Sequence, residues 1–398
     1  MDDKKKWDLI SLASIPLVMT LGNSMLIPVL PLIEKKLGIT SFKVSMIITV
    51  YSIAAILLIP IAGYLSDRYG RKKVIIPSLF IAGIGGLVTG WASWSLEDPY
   101  SMILIGRVLQ GIGSSGAAPV VLPLVGDLFK SDKDVSAGLG LIETSNTIGK
   151  VLSPILGALL ASFLWYLPFL SIPVFSLISI LLVIFLVESP EKNEKPQTFS
   201  CFLSCLKNIF HNDGKWLTAI FAIGGVIMFV LFGILFYLAG FLEKEFQIVG
   251  VKKGAIIAIP LVALSLTSYI AGKRIGENKT TMKWCIFAGL SLLAAATIGV
   301  SFTERLWFML LILFVAGIGI GMSLPCLDAL ITEGVKKEER GTITSLYSST
   351  RFLGVAAGPP IYAILMKQSH EIVFYTSAAV VVAAVLLCFV SIKPESDV

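Results

Sequence analysis

Of the 398 residues, 56% are hydrophobic and only 15% are charged, against roughly 45–50% and 25% in soluble domains. A core surrounded by water cannot absorb so much apolar side chain, which excludes a soluble globular protein and makes the bilayer the expected solvent. The net charge of +6 is spread over short loops and not gathered into one basic patch, so no nucleic-acid partner is expected.

Twelve apolar stretches reach the roughly 18–20 residues that cross a hydrocarbon core about 30 Å thick as a helix. The first runs near 8–33. It follows MDDKKKWDLI without a small-residue cleavage site, which reads as a retained helix and not a secretory signal. Within it LGNSMLIPVLP offers Asn23 but no acid. The second span covers about 43–65 and leads into GYLSDRYGRKK (63–73), one acid and four bases wedged before the third span at 74–95.

The fourth span, near 100–128, holds Arg107 about 10 Å from its start at helical rise, with Gln110 beside it. An ionisable group at such depth costs at least about 2.5–3.5 kcal/mol on insertion scales. Arg107 is therefore expected to face a polar cavity, with satisfaction by backbone carbonyls or a structural partner as the alternative. GIGSSG (111–116) matches a dinucleotide-binding glycine pattern, but that motif needs a preceding strand in a soluble sheet. In an apolar helix, small residues that allow close helix contact are the better account.

The fifth span, near 136–163, carries ETSNTIGK. Glu143, Asn146, Thr147 and Lys150 fall on one side of the helix, with Glu143 and Lys150 about 10.5 Å apart along the axis. That spacing predicts a polar stripe facing a shared cavity, or a structural polar network, and not a direct ion pair. The sixth span covers about 166–188. Residues 189–215 are the longest polar interruption. Phe199, Phe202, Leu203, Leu206 and Phe210 recur in it at helical spacing, which predicts an amphipathic helix on the inner membrane surface.

Spans seven to twelve lie near 216–242, 254–272, 283–303, 306–334, 341–366 and 371–392. Asp328 stands about two turns from the inner end of span ten, where a hydrated structural acid is one reading. Arg351 stands near the middle of span eleven. His211 and His370 fall outside the spans, so no catalytic cluster or metal site is expected; Cys201 and Cys205 lack a second ligand pair.

The second half repeats the first. GIGSSGAAP (111–119) precedes GIGIGMSLP (317–325) by 206 residues, and GKVLSP (149–154) matches GVAAGP (354–359) at an offset of 205. The predicted organisation is therefore a six-helix bundle at 1–188, a cytoplasmic linker at 189–215 and a second six-helix bundle at 216–398. Parallel halves with a site near the midplane are a common transporter design. Loops on one side hold 21 Lys and Arg, those on the other eight, and Arg107, Lys150 and Arg351 lie inside spans. Basic loops stay cytoplasmic, so both termini are expected inside.

With these residues in view, the chain resembles the major facilitator superfamily over its full length. GYLSDRYGRKK looks like that family's signature between helices two and three, G-x-L-x-D-R-x-G-R-K-x, carried here by Gly63, Asp67, Arg68, Gly70, Arg71 and Lys72. Arg107, Gln110 and Gly111 are similar to its helix-four arginine motif. Gly140, Gly149, Ser153, Pro154, Gly157 and Ala158 resemble the helix-five antiporter signature, G-x8-G-x3-G-P-x2-G-G, with Ser and Ala in place of two glycines.

The resemblance implies an all-α membrane protein with twelve transmembrane helices in two pseudo-symmetric bundles, and it implies that Asp67, Arg71 and Asp127 form a cytoplasmic gate. The expected function is a secondary active transporter, a proton-coupled exporter of lipophilic or cationic drugs that works by alternating access. Export of a sugar or other metabolite is the alternative, and a channel or membrane receptor the reading from another class. No enzyme activity is expected. A monomer in the bacterial plasma membrane is expected, with no cofactor and with the proton as coupling ion. Without an acid in span one, Glu143 is the leading proton carrier and Asp328 the second. The expected substrate and proton pathway comprises Asn23, Arg107, Gln110, Glu143, Asn146, Thr147, Lys150, Asp328 and Arg351.

Overall fold

Helical hydrogen bonding satisfies the backbone within a single segment, which hydrocarbon demands. The structure is a computed structural model that describes residues 3–128, 132–187, 214–274, 278–334 and 340–392, and among these residues it contains helices and no strand. In chain order the helices are α1 (Asp3–Ser24), α2 (Leu30–Leu37), α3 (Ser41–Tyr69), α4 (Arg71–Ser95), α5 (Tyr100–Leu128), α6 (Asp132–Phe163) and α7 (Leu167–Leu186). Then come α8 (Gly214–Lys244), α9 (Gly250–Arg274), α10 (Lys279–Ser301), α11 (Leu306–Gly334), α12 (Arg340–Leu365) and α13 (His370–Ser391).

The first span differs from its expected single helix. It breaks after Ser24, passes through a 3₁₀ turn at Ile27–Val29 and resumes as α2, which ends at Gly38 with φ 61°. Pro28 is the cause: it lacks an N–H and its ring crowds the preceding turn. Among the described residues, eleven segments are long and apolar enough to cross a membrane, with Trp7–Leu37 counted as one. α12 is a 26-residue helix whose hydropathy is lowered by the Ser and Thr run at 342–350 and by Arg351. His370, expected outside the helices, is the first residue of α13, capped by Ser369 Oγ accepting from the Ile372 N–H at 3.2 Å.

Large apolar side chains face outward as well as inward. Trp307 and Phe185 are 80% and 78% exposed, as surfaces meeting lipid tails must be. Because lipid is as apolar as leucine, helix association here rests on close packing, and small residues supply it.

The repeat is visible in that packing. A Cβ on Gly111 would lie 2.2 Å from the Tyr51 carbonyl oxygen of α3, and one on Gly317 would lie 2.2 Å from the Pro260 carbonyl oxygen of α9. Gly113 meets the Ser78 carbonyl of α4 at 2.4 Å, and Gly319 meets the Gly289 carbonyl of α10 at 2.5 Å. The glycine pattern therefore serves helix contact, with a backbone carbonyl where a phosphate would sit in a nucleotide site.

Residue contacts group the chain into two compact units. One comprises 1–202 and 239–255, the other 203–238 and 256–398. In the first, α1, α4, α5, α6 and α7 enclose an apolar core of Leu12, Ile15, Leu79, Val121, Leu124, Ile142 and Val183. The amphipathic segment expected within 189–215, with Cys201, Cys205 and His211, lies outside the described residues.

Candidate functional site

The Pro28 break prepares a site for a cation. A helix end leaves its last carbonyls without intrahelical partners and carries negative partial charge, and Gly22 lies in the final turn of α1. Arg107 of α5 reaches it: Nη1 donates to the Gly22 carbonyl at 3.0 Å, Nε to the Ile47 carbonyl of α3 at 2.8 Å and Nη2 to Asn23 Oδ1 at 2.7 Å. Nη1 also donates to Gln110 Oε1, and the guanidinium lies 4.4 Å from the Tyr51 ring centre.

Arg107 is fully buried. Four hydrogen bonds to neutral acceptors, two from α1, one from α3 and one from α5 itself, and an aromatic face hold the charge. The sequence expectation of an arginine facing a polar cavity is thus corrected to an arginine enclosed by carbonyl and amide oxygens. A guanidinium only donates, so Gln110 must turn Oε1 toward it. Gln110 Nε2 then points away, beside a cavity of about 10 Å³ lined by Val18, Met19, Gly22, Tyr51, Ala82 and Ile172. That volume is about the size that one water requires.

α6 carries the expected polar stripe. Thr20 of α1 donates to Asn146 Oδ1 at 2.7 Å, and Asn146 Nδ2 donates to the Glu143 carboxylate at 3.3 and 3.4 Å. Thr147 instead turns back onto its own helix, donating to the Glu143 and Thr144 carbonyls at 2.9 Å each. Glu143 is exposed and Lys150 half-buried. Glu143, Asn146 and Thr20 form one hydrogen-bonded chain on the first unit's polar face.

Asp328 and Arg351 meet in the second unit, 3.4 Å apart, with the guanidinium 5.5 Å from the Tyr347 ring centre. Sequence reasoning treated them as separate candidates. The 206-residue offset places Asp328 on Leu122, so the repeat contained no copy of the pair to reveal it.

At the α3–α4 junction Gly70 has φ 101°, a conformation that favours glycine. It lets Arg71 turn back between two acids, with Asp67 at 2.6 Å and Asp127 at 3.1 Å. Arg71 also donates to Ser66 Oγ at 2.8 Å, and Ser66 Oγ donates to the Gly63 carbonyl at 2.8 Å. Arg68 points to the Tyr64 hydroxyl at 3.2 Å. Lys72 has a separate task that sequence reasoning missed. Its Nζ donates to the Ile184 and Val187 carbonyls at 3.0 and 2.7 Å, capping the C-terminal end of α7. Lys283 does the same in the second unit, donating to the Phe389 carbonyl at the end of α13 at 3.2 Å.

The helix-five motif packs α6 on the first span. A Cβ on Gly157 would lie 2.0 Å from the Met25 carbonyl oxygen, while one on Gly149 would meet Leu17 and Thr20 at 3.2–3.3 Å. Ser153, in place of a glycine, is buried and donates to the Gly149 carbonyl at 2.6 Å. Pro154 follows it, and Gly140 faces open space.

Residues 12–282 and 278–398 match the family description Major Facilitator Superfamily. The chain is 57% identical to a bacillibactin exporter of Bacillus subtilis (strain 168), over 98% of this chain and 97% of that protein. It is 25% identical to multidrug resistance protein 2 of the same organism, over 99% and 98% of the two. Among solved structures it is similar to the human organic anion transporter MFSD10 (TETRAN), with a TM-score of 0.76 and 18% identity, over 98% of this chain and all of that one.

Proposed function

The chain belongs to the Major Facilitator Superfamily and is a multi-pass membrane transporter of a small molecule, not an enzyme, and on that premise we propose that it exports bacillibactin or a metabolite like it from the cell by alternating access. The observation that carries this reading is the 57% identity to the bacillibactin exporter along almost the whole of both chains. Export of lipophilic or cationic drugs is the second reading, supported by the likeness to multidrug resistance protein 2.

The reading places the transporter in the bacterial plasma membrane as a monomer, with both termini in the cytoplasm and no cofactor. Protons drive it. Glu143, exposed on the polar face of α6 and bonded to Asn146, is the leading proton carrier, and Asp328 is the second. A proton on Asp328 would compete with Arg351 for the same carboxylate, so loading one releases the other. Arg107, surrounded by neutral acceptors, stays charged and fixes the relation of α1, α3 and α5, while the Asp67–Arg71–Asp127 network acts at the cytoplasmic gate.

The test is secretion. A cell that makes bacillibactin but has lost its own exporter is supplied with this chain, and bacillibactin in the medium is measured against the cell interior. Restored secretion supports the proposal. Retention of bacillibactin together with new resistance to lipophilic cations would replace it with the second reading.

A further inference from the structure

The Gln110 amide has two polar ends, and only one of them is bonded to protein. Oε1 accepts from Arg107 Nη1, while Nε2 has no hydrogen-bond partner among the described residues, although Gln110 is 2% exposed. Buried polar groups are nearly always bonded, because one left unmade carries the full cost of the water it gave up. An orphan donor at this depth points to a partner that is not protein.

The amide does not escape by turning over. A flip would set Nε2 against the guanidinium, donor against donor, and would take an acceptor away from Arg107. The stem of the side chain is held as well. A Cβ on Gly85 of α4 would lie 2.8 Å from Gln110 Cγ and 2.7 Å from the Gln110 backbone nitrogen, so α4 packs directly on it.

Gln110 lines the cavity of about 10 Å³ described above. That is about one water-sized sphere, close to the least space that holds a water, and no organic group fits it. Gly22 of the same lining brings the second polar partner. Its carbonyl accepts from Arg107 Nη1 at 3.0 Å, and a carbonyl oxygen has two lone pairs. A water there accepts from Nε2 and donates to the Gly22 carbonyl, which meets the two to four partners that a buried water makes. Val18, Met19, Ala82 and Ile172 surround it with apolar side chains.

We propose that this cavity is a binding site for a single sealed water molecule, which bridges Gln110 Nε2 of α5 to the Gly22 carbonyl at the broken end of α1. The water is then a member of the Arg107 cage, joining the same two helices that the guanidinium joins. The site is also closed to substrate by its size. Gln110 serves the cage and leaves contact with the exported compound to other residues.

The test uses the full chain in nanodiscs without substrate, so its result does not depend on which compound is exported. An experimental structure at a resolution that shows other internal waters is expected to hold one isolated peak within about 2.7–3.2 Å of both Gln110 Nε2 and the Gly22 oxygen. The absence of that peak, or density longer than one water, would overturn the proposal. The glutamines of the chain are Gln110, Gln197, Gln247 and Gln368, so replacing the last three by asparagine leaves Gln110 as the sole signal in protein labelled with ¹⁵N at the glutamine amide. That signal is expected to receive magnetisation from water in solid-state spectra; an amide with no water contact counts against the site. The wild-type structure decides the question whether or not the triple variant folds.

Discussion

Replacing Asn23 by leucine isolates the Arg107 cage. The substitution keeps side-chain size and apolar character compatible with the site, but it deletes the Oδ1 acceptor that lies 2.7 Å from Arg107 Nη2. Arg107 is 0% and Asn23 6% exposed, so water cannot easily take the lost oxygen's place. A hydrogen bond to a charged group contributes about 1.5–3 kcal/mol, and a buried donor left unmade costs about as much as it contributed. Roughly 2 kcal/mol is therefore expected, about a 30-fold fall in the ratio of folded to unfolded protein. Thermal or denaturant unfolding in detergent micelles reads it. Asn23→Gln, which keeps an amide oxygen, should recover part of the loss. Wild-type stability in Asn23→Leu would refute the claim that neutral acceptors hold this charge in place.

Three further outcomes follow from the other sites. Gly157→Leu forces a side chain toward a carbonyl oxygen 2.0 Å from its Cβ position, so α6 must move off the first span; overpacking of about 1–3 kcal/mol or more and loss of export are expected, while Gly140→Ala, with open space around it, should behave as wild type in both measurements. Asp67→Asn should change stability by less than about 1 kcal/mol, because its side chain is 55% exposed. It should nonetheless lower turnover and raise labelling of cysteines introduced at the cytoplasmic side; unaltered labelling would remove Asp67 from the gate. Glu143→Gln should fold normally yet lose export driven by a pH gradient, and export at the wild-type rate would transfer the proton to another carrier.

The helices were legible in the sequence because hydrocarbon thickness imposes a length on each apolar run, and because the glycine repeat carries the same carbonyl contacts in both units. Arg107 was legible as an anomaly, since a charge in an apolar helix must be answered by something. What answers it was not. The cage depends on a helix break at Pro28 that frees the Gly22 carbonyl, and on an oxygen of α3 far away in the chain. The Asp328–Arg351 pair escaped for a different reason: each residue sits in its own helix with no periodic signal joining them. Lys72 read as one more base in a charged loop until the end of α7 was seen beneath it. His370 was misplaced because its helix opens on polar residues, Ser369, His370 and Glu371, which read as loop although they suit a capped first turn.

The most direct test of the account reconstitutes the purified protein in liposomes, imposes a pH gradient of each direction in turn, and follows bacillibactin and protons together. Bacillibactin is expected to move against its concentration gradient, with protons moving in the opposite sense. Both should stop when an ionophore collapses the pH gradient and when Glu143 is replaced by glutamine. Bacillibactin movement that is indifferent to the gradient would contradict proton coupling, and no bacillibactin movement in protein that transports lipophilic cations would contradict the proposed substrate.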